Sequence, residues 1–165
     1  MSSPVIVRRP ERLWSARNGS DAGRGDGGYA QAVAWEVNDR EFESVLALPA
    51  SHRYEYFIKR AASHGALWGL HGAEGWVIAE DEDGAKHFPV WPHPRFAEAC
   101  ADGPWVDESA HSIDVDEWVE AWTPQLIRDG LRVAVFQTPA DEGSGVSPER
   151  LKRDLEQELS LFGSG

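Results

Sequence analysis

A chain of 165 residues with 41% hydrophobic content is sized for one domain with a conventional core, which argues against disorder for its bulk. The net charge of −12 is uneven: residues 1–30 carry five Arg against Glu11, Asp21 and Asp26, leaving −14 on the rest, and an acidic body speaks against nucleic-acid binding and for solubility or a basic protein partner. The single cysteine, Cys100, excludes an intrachain disulfide; no signal-peptide core or run of about 18 apolar residues is present, so no membrane span is expected and the cytoplasm is the default location.

Residues 1–30 read as a flexible leader, because 15–30 are rich in Gly, Ser, Asn and Asp and have little to bury. Residues 31–165 read as a single α+β domain. Asn38 and Glu41 have capping-box spacing, and Phe42, Val45 and Leu46 share one face of the helix they open. Pro49 ends it. Ser51 then caps a second helix, in which Tyr54, Phe57, Ile58 and Ala61 recur on one face and Gly65 is the stop. Strand-like runs follow at 67–71, 75–80 and 86–91, with turns at 72–74 and 81–84. Pro89 lacks an N–H, so the third of these strands is expected at an edge or to end early. Pro94 opens a short helix through Phe96, Ala97 and Cys100.

Asp114 and Glu117 repeat the capping spacing, and Val115, Trp118, Val119, Trp122 and Leu126 form a stripe that Pro124 should kink or restart, with Thr123 as cap. Gly130 ends that helix. A buried strand is expected over 131–136, a loop over 138–145, and a last helix after Ser147-Pro148 carrying Leu151, Leu155 and Leu159. The order reads as α+β: a small, mainly antiparallel sheet of about four strands, packed on one face by the 114–129 helix and flanked by the others.

Several of these stretches, in order, resemble one family. They are Leu48-Pro49-Ala50 with Tyr54-Glu55-Tyr56-Phe57-Ile58-Lys59, Leu67-Trp68-Gly69-Leu70, Gly75-Trp76, Pro89-Val90-Trp91-Pro92-His93, the helix opening at 113–122, Val133-Ala134-Val135-Phe136-Gln137-Thr138, and Pro148-Glu149-Arg150-Leu151. Over about 37–159 the chain resembles the domain-of-unknown-function family 2750 of uncharacterised bacterial proteins. That resemblance implies no activity and no catalytic residues. In architecture alone the element order is similar to the SseB-like domains of bacterial secretion and toxin-associated proteins, and fold does not fix function.

The candidate site is Trp91-Pro92-His93-Pro94-Arg95. Two prolines there present an aromatic, an imidazole and a guanidinium on a rigid turn before a helix, where an anion or a partner's acidic side chain could dock. The plain alternative is strand termination and helix initiation, with Trp91 packed beneath. Trp68 is the other aromatic whose place the pattern leaves open, whereas Trp118 and Trp122 read as core. The acidic turn at 81–84 fails as a calcium loop, since Ala79 and Val90 would stand where oxygen ligands belong. The histidines lack zinc-site spacing, and His87 with His93 has no third ligand. Carboxylates beside Cys100 would raise its pKa, so a structural thiol is the reading.

No catalytic set, metal site or cofactor is legible. The expected function is a non-catalytic protein-binding module, such as an adaptor or an immunity-type partner of a bacterial toxin, with a basic protein partner. The alternative is a small-molecule or anion-binding domain using Trp91, His93 and Arg95. A third reading, an enzyme, would have to pair His93 with Glu98 or Asp83. Nothing in the sequence points to an oligomeric state.

Overall fold

Short polar residues and glycines set the helix boundaries. The computed structural model describes residues 5–8, 35–73, 75–81 and 83–163. Helix α1 spans Asp39–Leu46, with Asn38 Oδ1 accepting from the Glu41 N–H at 2.8 Å. Helix α2 spans Ala50–His64 and closes on Gly65, whose φ of 74° suits a residue without a Cβ. Its N-cap is Pro49, in place of the expected Ser51, because the Pro49 carbonyl already accepts from the N–H groups of His52 and Arg53. Helix α3 is Pro94–Ala99, and a 3₁₀ turn follows at Gly103–Trp105.

Helix α4 runs over 115–128. The Asp114 Oδ2 accepts from the Glu117 N–H at 3.2 Å, as the spacing predicts. At Pro124 there is neither a fresh start nor a cap at Thr123. Instead the segment Trp118–Trp122 is a π-helical turn between Val115–Glu117 and Thr123–Arg128. The Thr123 N–H reaches the Trp118 carbonyl five residues back, and its Oγ1 donates to the same oxygen at 2.9 Å. The wider turn absorbs the hydrogen bond that a proline cannot make. Gly130, at φ 71°, closes the helix, with the Leu131 N–H donating to the Leu126 carbonyl. Helix α5 is Pro148–Gly163, with the Arg150 N–H on Ser147 Oγ.

The sheet is larger than the expected four strands. Strands β1 (Val5–Arg8), β2 (Ala66–Gly72), β3 (Gly75–Glu80), β4 (Lys86–Val90), β5 (Ser109–Asp114), β6 (Arg132–Val135) and β7 (Ser144–Val146) join in one mixed sheet. Six lie in the order β5-β2-β3-β4-β6-β7, and β1 pairs β3 off that path. All pairings are antiparallel except β4–β6. The expected leader over 1–30 lies outside the described residues apart from β1. Strand β7 begins within the expected 138–145 loop and ends just past it, and β5 lies mostly in a stretch to which the sequence gives no element, just before the α4 cap.

Pro89 does not sit on an edge strand, because β4 lies between β3 and β6. The Val90 carbonyl accepts from the Phe136 N–H, so Phe88 and Val90 bond toward β6 while Pro89 faces the other side. On that side the β3 ladder ends at Ala79–His87, and two residues beyond Pro89 the chain pairs instead with β2, through Trp91 and Trp68. The missing N–H therefore falls where β4 changes partner, which is a local edge.

Two aromatic clusters fill the interior. In the first, the α4 stripe seats as expected: Val115, Trp118, Val119, Trp122 and Leu126 are all buried. The Trp118 ring lies 5.7 Å from Phe88, and Trp122 lies 5.1 Å from Trp76 and 5.5 Å from Phe88. Gly69 gives Trp76 its room, since a Cβ there would stand 3.1 Å from that ring. In the second cluster, Phe42 of α1, Tyr56 of α2 and Phe96 of α3 gather with Phe136 after β6. Among the described residues no helix is long and apolar enough to cross a membrane.

Candidate functional site

The turn at 91–95 is built from β4 and α3. The Trp91 N–H and carbonyl exchange hydrogen bonds with Trp68, each 2.8 Å. The Trp91 ring has no exposure and Trp68 has 6%. Trp91 Nε1 donates to the Gln137 carbonyl at 2.8 Å, and the Cys100 thiol donates to that oxygen at 3.4 Å. Burial, with Asp102 adding to it, pushes the Cys100 pKa up to about 12, so the thiol stays protonated.

His93 is the N-cap of α3. Its Nδ1 accepts from the Arg95 N–H at 3.0 Å, and its Nε2 donates to the Trp35 carbonyl. Arg95 points the same way. Its Nη1 donates to the Val37 carbonyl at 2.8 Å, its Nη2 to Asp39 Oδ1 at 2.6 Å, and its guanidinium lies 4.2 Å from the Phe42 ring centroid. The Trp35 ring stacks on His64 and meets His93 edge-on, with Arg60 at 4.6 Å over it. Trp91 and Trp68 are thus paired with each other, Trp91 holding Gln137 just after β6, while His93 and Arg95 hold the 35–39 segment. His87, by contrast, packs over Gly145 of β7. In the 81–85 turn, Asp81 Oδ1 accepts from the N–H groups of Asp83 and Ala85, each at 2.9 Å, in an ordinary hairpin.

A second buried polar centre was not anticipated. Arg53 of α2 is 2% exposed; its Nε donates to the Phe136 carbonyl at 3.0 Å, Nη1 to the Leu48 carbonyl at 2.6 Å and Nη2 to Asp141 Oδ2 at 2.6 Å. This guanidinium holds the Asp141 carboxyl below the usual carboxylate range. Phe136, at φ 59°, and Gly143, at φ 82°, bend the loop around it. Arg53 stands four residues before Phe57 on the buried face of α2, and that cation on an apolar stripe was the available signal.

With these contacts in place the matching segment is defined. A family model described as "Protein of unknown function (DUF2750)" matches residues 54–155, more than half the chain. The chain belongs to this family. No curated protein and no solved structure matches it.

In DUF2750 terms the match begins one residue after Arg53 and ends at Leu155 of α5, so it takes in β2 to β7 and the whole 91–95 turn. It also includes a histidine pair that sequence reasoning passed over. The His71 and His111 rings on β2 and β5 stand 4.9 Å apart beside Trp76, and Ser109 Oγ lies 3.3 Å from His111 Nε2. The polar run Ser109-Ala110-His111-Ser112 carries no strand-like alternation, which is why β5 and its imidazole were missed. Among the described residues no group of three or more His, Cys, Asp or Glu side chains is arranged to hold a metal ion.

Proposed function

We propose that this DUF2750 domain is a non-catalytic binding module whose partner is a basic protein, in the manner of an adaptor or an immunity-type partner of a toxin. The observation that carries the reading is where the charges lie. Three of the cations are turned onto the protein's own groups: Arg53 is buried, and Arg60 and Arg95 lie over the rings of Trp35 and Phe42. Glu36, Glu43, Glu55, Asp102, Asp107, Asp116, Glu120 and Glu142 stand among the exposed carboxylates, which outnumber exposed Lys and Arg by more than two to one among the described residues. Such a surface steers a cationic partner by long-range attraction and rejects acidic ones.

The anion-binding alternative requires Arg95 to leave the Val37 carbonyl and Asp39, and His93 to leave Trp35. The enzymatic reading requires His93 to act as acid or base while both ring nitrogens hold the backbone. Neither gains support from the geometry. The test is affinity capture by the tagged full chain at about 50 mM and about 300 mM salt, where screening differs strongly. The reading expects a basic protein in fixed stoichiometry at the lower salt, lost when exposed carboxylates are changed to amides. Recovery of no partner, or of one held equally by the amide variant, overturns it.

A further inference from the structure

The ring of His93 has one donor role and one acceptor role, and both are taken by backbone. Nδ1 accepts the Arg95 N–H, so it carries a lone pair; Nε2 faces the Trp35 carbonyl, so it carries the proton. Only the neutral Nε2–H tautomer satisfies both. A second proton on Nδ1 would set N–H against N–H at the start of α3 and place a charge in a site where His93 is 7% exposed. We infer that His93 is a proton-operated latch: in its neutral form it fastens 35–39, the segment joining residues 1–34 to α1, and on protonation it lets that segment go.

The charged surroundings of His93 come from every element packed on it. Arg95 of α3 opposes a cation there, while Arg60 and His64 of α2 lie against the Trp35 ring. Glu41 of α1 and Glu98 of α3 favour one, and Asp39 is already engaged by Arg95. Burial is the largest influence and holds the His93 pKa below its ordinary value, helped by Arg95 and resisted by the Trp35 carbonyl, Glu41 and Glu98. The sign follows. A histidine whose pKa is depressed by folding adds stability above its unfolded value near 6.5, and that stability is lost as pH falls through the folded value. His64 shifts the same way, through burial and Arg60, and acts on the outer face of Trp35.

Release is local, because the bonds broken are those of 35–39 to α3, whereas the α4 stripe is held by the packing of Trp118 and Trp122 on Phe88 and Trp76. The test is amide hydrogen exchange on the full chain at pH 7.5 and 5.0, reported as protection factors so that intrinsic rates cancel. Peptides covering 35–42, in which the Glu41 and Phe42 N–H groups donate to Asn38, should lose protection about tenfold or more at pH 5.0 while those over 115–128 keep theirs. His93→Asn retains a side-chain acceptor for the Arg95 N–H and does not titrate, so its 35–42 protection should not fall with pH. His64→Gln should still show the fall. Unchanged protection in the wild type, an equal loss over 115–128, persistence of the loss in His93→Asn, or its abolition by His64→Gln overturns the latch. Should His93→Asn fail to fold, the ring nitrogen shifts of the wild type decide. A neutral Nδ1–H tautomer, or titration at or above the ordinary value, contradicts it.

Discussion

At Arg53 a single side chain joins three parts of the chain, and the energetics follow from what each partner would lose. Arg53→Met keeps the stem and removes the guanidinium, leaving the Phe136 and Leu48 carbonyls without their donor. It should destabilise the domain by about 3 kcal/mol in urea unfolding. Asp141→Asn should cost below about 1 kcal/mol, because that carboxylate is 54% exposed and water screens the pair. The two separate a buried anchor from a rim contact. Since Arg53 holds Asp141 below its ordinary pKa, the pair contributes fully above pH 4 or so and fades as pH falls through the folded value. Asp141→Asn should flatten that acid limb of stability. Cys100, pushed up to about 12, should resist a thiol reagent at pH 8 until the chain unfolds, and rapid labelling of the native protein would contradict its burial. None of these partners is adjacent in sequence. An arginine's place on an apolar stripe is visible from spacing, but the carbonyls it ties together are not.

The helices were the most legible elements. Asn38, Gly65, Asp114, Gly130 and Ser147 each act within one turn of their own position, so their roles can be read without knowing the fold. Asn38→Ala and Asp114→Ala should each cost about 1 kcal/mol, measured by the same unfolding midpoint. Strands β2, β3, β4 and β6 were legible from apolar runs. Strand β5 was not, because a polar six-residue strand owes its place to the β2 ladder over Ala66–Asp114 to His71–Ser109 and not to a pattern of its own. The proline signals were half-informative. Pro89 does mark the absence of a neighbour, but one strand meets two successive partners there; Pro124 does disturb α4, but through a π turn closed by Thr123. Trp122→Ala should cost about 3 to 5 kcal/mol, because Trp76 and Phe88 would lose the ring they pack on.

For the whole molecule, composition and structure point the same way. The charge of −12 was plain from the sequence, yet its meaning depended on where the cations went, and only the fold shows Arg53, Arg60 and Arg95 turned onto carbonyls, carboxylates and rings. The residues of the turn at 91–95 were legible, and they reach in two directions, Trp91 to Gln137 and His93 with Arg95 to the 35–39 segment. Their partners Trp35, Val37 and Gln137 were hidden, because those contacts bridge more than forty residues of chain. The family match gives this architecture a home without an activity. The proposed role needs an acidic exterior to draw in a basic protein. The most direct test is the dissociation constant of the captured complex across a salt series. Log affinity should fall steadily with log salt, by about tenfold or more from 50 to 300 mM, and more shallowly for variants in which exposed carboxylates are amides. A salt-independent constant, or one unaltered by those amides, would contradict it.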